Sequence, residues 1–269
     1  MAAPKQRNTL IDIFRGAGIL WIVCVWHLRD YYNLPILHDA LFLYLTYFVL
    51  AGYFFISGFF MGRNDYSSRQ SIEDFYKKRF VRLYIPFFLA CLLLLTIKRP
   101  VFFANPVSFV HSLLLISPFL GETPPTMWFV IFLLIYNIIT PLLLRNSTLC
   151  KIACAATAAM SFFLLYKFGN CDSRLYKYFI AYALGLHFPE SAMQKIDISL
   201  SSPIINKTIH FFSYLSLMLY LTHRFTYFIC VHFHIPIPLI YLFLIISSYC
   251  VQLLYDKIAE SIRGLQATK

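Results

Sequence analysis

The sequence carries too little charge for a soluble protein. Only 13% of its residues are Asp, Glu, Lys or Arg, whereas 59% are hydrophobic and 19% aromatic. Soluble globular chains contain about 25% charged residues, so a water-facing surface could not be covered here. The same balance excludes a disordered chain, a coiled coil and a secreted disulfide scaffold. The composition therefore predicts a membrane protein.

Several motifs that carry chemistry are also missing. The chain has no CxxC pair and no G-x-S-x-G elbow, and its seven cysteines lie mostly in apolar runs. Cys150 and Cys154 have no histidine nearby at zinc spacing. The sequence therefore predicts neither a metal site nor a covalent serine or cysteine nucleophile.

The net charge of +11 does not indicate a nucleic-acid partner. Lys and Arg accumulate in the cytoplasmic loops of polytopic membrane proteins whatever their function. No DNA- or RNA-binding motif accompanies the charge, so nucleic acid is not expected to bind.

Long uncharged runs predict the architecture, because a helix needs about 20 apolar residues to cross the hydrocarbon layer. The runs cover residues 10–28, 40–62, 83–97, 100–121, 123–144, 152–166 and 175–188, with two more between residues 208 and 255. No alternating barrel pattern is present. We therefore expect an all-α polytopic bundle of about eight to ten transmembrane helices, forming one membrane-embedded domain over residues 1–269.

The distribution of basic residues predicts the orientation. Residues 63–82 contain six Lys or Arg against three Asp or Glu. By the positive-inside rule this segment is cytoplasmic, and the amino terminus with Lys5 and Arg7 falls on the same side. The amino terminus shows no cleavable signal pattern, so its apolar run should be retained as the first span.

Ionisable side chains inside the first predicted span are candidate functional residues, because such groups are costly in a membrane. The span contains Asp12, Arg15 and His27. Arg15 is close enough to the cytoplasmic end to snorkel instead. His27 lies beside Arg29 and Asp30 near the opposite end, where an interfacial histidine is the alternative. A neutral imidazole can act as a general base toward a hydroxyl.

Other polar or aromatic positions have structural and functional interpretations. The Ser57-Gly58 pair favours close backbone approach between helices over a serine nucleophile. Trp128 is favoured as an interfacial anchor over a ligand platform. His223 and Arg224 form a polar site in an apolar stretch, and either cavity lining or a membrane boundary fits them.

A basic cluster marks the start of the third predicted span. Arg79 and Arg82 are three residues apart and so share a helical face at the membrane boundary, next to Lys78. A solvated positive-inside cluster is one interpretation. The other is a site for a phosphate-bearing ligand from the cytosol, which guanidinium forks suit well.

Five segments, in order, resemble signatures of the membrane acyltransferase 3 family of bacterial polysaccharide and lipid O-acyltransferases. They are IDIFRG at residues 11–16, FISGF at 55–59, KRFVRLYIP at 78–86, MWFV at 127–130 and SLMLYLTH at 216–223. No single segment is specific to the family, but five segments in the same order as the family's signatures are a strong resemblance.

The resemblance implies transfer of an acyl group, usually acetyl, from a coenzyme A thioester on the cytoplasmic side. The acceptor would be a hydroxyl of a lipid-linked or cell-surface glycan, and the location a bacterial inner membrane. By position, His27 would be the catalytic histidine and Arg15 its basic partner, with Arg79 and Arg82 near the acyl-CoA donor.

A direct transfer mechanism follows from these roles. His27 would take the proton of the acceptor hydroxyl, and Arg15 would stabilise the oxyanion or orient the histidine. Asp12, three residues before Arg15, could hold it in place. Lys78 joins the donor cluster, and the candidates for lining the substrate cavity are Ser57, Trp128 and His223.

The spacing of the first motif departs from that resemblance. The family usually places ten residues between the basic position and the histidine, whereas eleven separate Arg15 from His27. At about 100° per residue, eleven steps return to the same helix face and twelve do not. A π-bulge would restore the alignment. We therefore predict an irregular turn between Gly16 and Trp26, with both side chains reaching one cavity.

Two other functions remain open at this point. A secondary transporter could use the intramembrane His and Arg side chains for an ion pathway, although no repeated halves are visible. A noncatalytic assembly partner would instead place its polar residues at helix contacts.

Overall fold

The computed structural model describes residues 8–32, 39–97, 103, 105–144, 148–196, 198 and 202–267. The regular structure of these residues is helical throughout, which confirms the predicted all-α class. The α-helices are α1 (Thr9–Leu20), α2 (Ala40–Met61), α3 (Arg69–Arg79), α4 (Ile85–Thr96), α5 (Pro106–Leu113), α6 (Trp128–Leu144), α7 (Thr148–Phe168), α8 (Ser173–His187), α9 (Glu190–Lys195), α10 (Pro203–His232) and α11 (Ile237–Ala267).

Five helical stretches of the described residues are long and apolar enough to cross a membrane, which agrees with a polytopic membrane protein. They are Thr9–Asp30, Ala40–Met61, Arg69–Thr96, Lys151–Phe168 and Ile237–Ser261. The expected count of eight to ten spans is not confirmed.

Three of the apolar runs form helices too short to count as spans, among them residues 123–144, where α6 has 17 residues. Among the described residues of the run 100–121, the regular structure is α5, of 8 residues, and a 3₁₀ turn at Ser117–Phe119. Asn105 begins α5 with a capping box, and Pro106 occupies its first turn, where a missing N–H costs nothing. The run at residues 175–188 forms α8, which has 15 residues.

Glycines allow α2 and α8 to pack backbone against backbone. A Cβ at Gly58 would overlap the carbonyl oxygen of Tyr182, and one at Gly185 would overlap that of Phe55. Such contact is typical of small residues between membrane helices. The close approach expected at Ser57-Gly58 is therefore confirmed.

The first span is not a uniform α-helix. After α1 the chain continues as a π-helix at Trp21–Trp26 and then as a 3₁₀ turn at His27–Asp30. A π-turn accommodates an extra residue without ending the helix. The irregular turn predicted between Gly16 and Trp26 is confirmed.

The bundle has two chemically different ends. At the basic end, Arg63 forms an ion pair with Glu190 at 3.5 Å, and Asn8 donates to the carbonyl of Met193, so α1 begins beside the segment at residues 63–82. Lys5 and Arg7 lie outside the described residues. At the histidine end, α1 finishes with His27 and Asp30.

Candidate active site

Helices α1 and α10 run parallel and meet along a line of polar contacts. Ser213 donates to Asp12 at 2.6 Å, and Arg15 donates to Ser216 at 3.0 Å. Farther along, Tyr227 donates to the carbonyl of Val23 at 2.9 Å, and Arg224 reaches His27 in the 3₁₀ turn. The π-helix sets the rotation at which the 3₁₀ turn presents that ring.

His27 faces the interior of the bundle and is 8% exposed. Its Nδ1 lies 2.7 Å from Nη2 of Arg224 and 3.3 Å from Oδ2 of Asp30. Because a guanidinium only donates, Nδ1 accepts in this arrangement and the ring proton resides on Nε2. The other tautomer would donate from Nδ1 to Asp30 and free the Nε2 lone pair.

Arg224 contacts three side chains of the site, including His27. Its Nη2 is 2.6 Å from Oδ2 of Asp30, and its Nε donates to Oγ1 of Thr126 at 2.8 Å. A buried charge is tolerated when it is both paired and hydrogen bonded, and this guanidinium meets both conditions. Thr126 has a φ of +73°, which costs a non-glycine residue energy, and its carbonyl accepts a hydrogen bond from Tyr220.

His223 is fully buried beside His27. The two rings stack with centroids 4.7 Å apart and an interplanar angle of 28°. Nδ1 of His223 lies 2.6 Å from the carbonyl oxygen of Tyr220. A carbonyl only accepts, so Nδ1 carries the proton and Nε2 holds a lone pair. Of the two positions that the sequence allowed, the bundle interior is therefore the one observed.

Arg15 and His27 contact α10 at different heights. Their partners, Ser216 and Arg224, are eight residues apart, or about 12 Å along that helix at 1.5 Å per residue. The two side chains therefore do not lie side by side, and their convergence on one cavity stays a prediction. The π-helix changes the rotation of the first span, but Arg15 and His27 still lie at different heights.

Asp12 has partners that the sequence did not indicate. Besides accepting from Ser213, its carboxylate lies 3.1 Å from Nδ1 of His210, within ion-pair distance but without the angle of a hydrogen bond. These contacts join the start of α1 to α10.

Trp128 lies in the interior, with 8% of its surface exposed, so its interpretation as an interfacial anchor is wrong. Its ring stacks on Tyr178 at 5.4 Å, and the guanidinium of Arg174 lies 4.5 Å above it. Arg174 also holds Asp172 at 2.6 Å. Burial alone would raise the pKa of the Asp172 carboxyl, but the charge and hydrogen bonds of Arg174, together with a hydrogen bond from Thr123, outweigh burial and lower that pKa.

The donor candidates lie at the basic end. Arg79 closes α3 and is half-buried, and its Nε is buried with no hydrogen-bond partner in the described part of the chain. Arg82 is exposed in a π-helix at Phe80–Tyr84 and close enough to repel Arg79 electrostatically. Lys78 is exposed. A half-buried guanidinium with an unused donor suits an anionic ligand.

No three His, Cys, Asp or Glu side chains among the described residues are placed to hold a metal ion. Ser57 is half-buried beside the α2–α8 contact. Its neighbour Gly58 accounts for that contact, as the sequence indicated.

The helical architecture, the candidate spans and the buried histidine site define a polytopic membrane protein with a polar centre between α1 and α10. A family model described as an acyltransferase domain matches residues 8–187, more than half of the 269 residues. The chain belongs to the membrane acyltransferase 3 family and is an acyltransferase. No curated protein and no solved structure matches it. The matched range includes His27 and Arg79 and ends before Arg224.

Sequence reasoning did not assign three residues of the site. Arg224 is the one formal charge between residues 208 and 255, which is a detectable signal, but nothing in the sequence pairs it with His27. Asp30 is three residues after His27, a spacing that suggests contact on a helix. Thr126 gives no comparable signal, since its position depends on the loop before α6.

Proposed function

We propose that the protein is an integral membrane O-acyltransferase. It transfers an acyl group, foremost acetyl, from acyl-CoA to a hydroxyl of a cell-surface or lipid-linked glycan. The observation that carries this proposal is the burial of His27 against Asp30 and Arg224 in a chain of the acyltransferase family. Family membership favours acyl transfer over an ion pathway.

His27 is the proposed general base. In the reactive tautomer, Nδ1–H of His27 donates to Asp30, and Nη2 of Arg224 moves off Nδ1, because two donors cannot pair, while it keeps its contact with Asp30. The free Nε2 then faces the acceptor. Nε2 takes the hydroxyl proton as the oxygen attacks the thioester carbonyl. The tetrahedral intermediate then expels the coenzyme A thiolate, which takes the proton from the imidazolium. The products are an ester and free coenzyme A.

Arg79, Arg82 and Lys78 are the proposed contacts for the phosphates of acyl-CoA. The unpartnered Nε of Arg79 supports this role. Because these residues lie at the basic end and His27 at the other, the acyl arm must extend along the bundle. Arg15 contacts α10 about 12 Å before Arg224, at 1.5 Å per residue, and would line this path.

The proposed location is a bacterial inner membrane with the amino terminus in the cytoplasm. The basic segment at residues 63–82 supports this orientation by the positive-inside rule. Acyl-CoA would then reach the basic end from the cytosol. The remaining proposed partners are the membrane lipids around the helices.

A transfer assay with purified protein tests the function. The protein is reconstituted in phospholipid vesicles and incubated with [¹⁴C]acetyl-CoA and a total bacterial glycolipid extract. We expect His27→Ala to lower label transfer by at least about 100-fold, since a general base contributes about 10²–10⁴-fold. Unfolding temperatures check that the variant is folded.

The matched control is His232→Ala. This histidine is exposed near the same end of α10, and its ring contacts are with Phe228 and Phe233. It should retain wild-type transfer. Unchanged turnover in a folded His27→Ala variant would show that another group is the base.

A further inference from the structure

The candidate active site contains a buried hydrogen-bond acceptor that has no role in the proposed acyl transfer. Nε2 of His223 is buried and has no hydrogen-bond partner in the described part of the chain, and the residue is 0% exposed. Its lone pair is fixed there, because Nδ1 donates to the carbonyl of Tyr220. Buried polar atoms are seldom left unsatisfied, so one beside a candidate catalytic histidine requires an explanation, and a functional role is one of those known for such atoms.

The chemistry of this atom restricts the ligand that it can take. A lone pair accepts hydrogen bonds only, so a phosphate or ionised carboxylate would oppose it. A cationic ligand would be repelled by Arg224, which lies next to His223 in the chain and contacts the stacked ring of His27. A neutral hydroxyl satisfies both conditions.

We propose that His223 binds the acceptor, with its Nε2 accepting a hydrogen bond from a hydroxyl adjacent to the one that is acylated. The proposal rests on the proposed acyl transfer. The two imidazole rings are stacked with centroids 4.7 Å apart, so each can contact one of two neighbouring hydroxyl groups. Sugars carry such neighbouring hydroxyl groups, whereas simple alcohols do not. The acceptor class is therefore a vicinal diol, and His223 determines specificity for it.

Two substitutions separate this role from a structural one. His223→Phe keeps an aromatic ring for stacking on His27 but removes the lone pair. His223→Gln loses the ring but can place an amide oxygen near the position of Nε2. Both variants are assayed with [¹⁴C]acetyl-CoA and the glycolipid extract, titrated by its hexose content.

For His223→Phe we expect the KM for the acceptor to rise about tenfold, the loss of roughly one hydrogen bond. The kcat and the KM for acetyl-CoA should stay within about threefold of wild type, because neither proton transfer nor donor binding uses this atom. His223→Gln should recover most of the acceptor affinity.

Three results would overturn the proposal. An unchanged acceptor KM in His223→Phe means that Nε2 binds no acceptor hydroxyl. A collapse of kcat at saturating acceptor assigns the residue to proton transfer or to structure. A raised acetyl-CoA KM assigns it to the donor. If the wild-type protein transfers no label at all, the proposed function fails and this proposal fails with it.

Discussion

At the scale of single residues, one guanidinium group contacts three side chains of the candidate active site. Arg224 contacts His27, Asp30 and Thr126, which come from two separate parts of the chain. A planar fork with several donors can do this, whereas an ammonium group cannot hold the same geometry. The carboxylate of Asp30 lies close enough to His27 to accept a hydrogen bond from Nδ1–H, which favours the tautomer with a free Nε2.

We expect Asp30→Asn to lower kcat by more than about tenfold while the KM for acetyl-CoA stays unchanged. The amide keeps the shape of the carboxylate but loses the negative charge that stabilises the His27 imidazolium beside Arg224. Steady-state transfer kinetics measure both constants.

Asp39→Asn is the matched control for that substitution. Asp39 caps α2 at the same end of the bundle by accepting from the backbone of Leu41, and asparagine caps equally well. Equal activity of the two variants would show that the charge of Asp30 has no part in the reaction.

At the scale of helices, the α2–α8 contact depends on the absence of side chains. We expect Gly58→Ala to destabilise the protein by about 1–3 kcal/mol, because the new Cβ overlaps the carbonyl of Tyr182 and forces the helices apart. Thermal unfolding in detergent measures the effect.

Ser57→Ala, one residue away, is the matched control. It should change neither the unfolding temperature nor the transfer rate. A loss of transfer would instead indicate that Ser57 acts as a nucleophile.

Local pattern predicted the helical class and two local features of the helices correctly, but not the number of spans. The glycine contact at Gly58 and the irregular turn before His27 follow from residue size and helical rotation, which are local properties. Helical rotation says which face Arg15 and His27 occupy but not how far apart they lie along the helix, and the structure places their contacts with α10 eight residues apart. Trp128 was misplaced because its burial depends on Tyr178 and Arg174, which are distant in sequence.

At the scale of the whole molecule, the two ends have separate chemistry. Nε of Arg79, which has no hydrogen-bond partner among the described residues, lies at one end, and the histidine pair lies at the other. The number of spans could not be read from hydropathy, since apolar runs such as residues 100–121 form short helices. The proposed reaction requires the donor to connect the two ends through the bundle.

A structure with a bound non-hydrolysable acetyl-CoA analogue measures that connection directly. We predict its phosphates against Arg79 and Arg82 and its acyl carbon near His27, with room for an acceptor oxygen about 3–3.5 Å from that carbon. An acyl group bound away from His27, with the analogue fully occupied, would contradict catalysis at this centre.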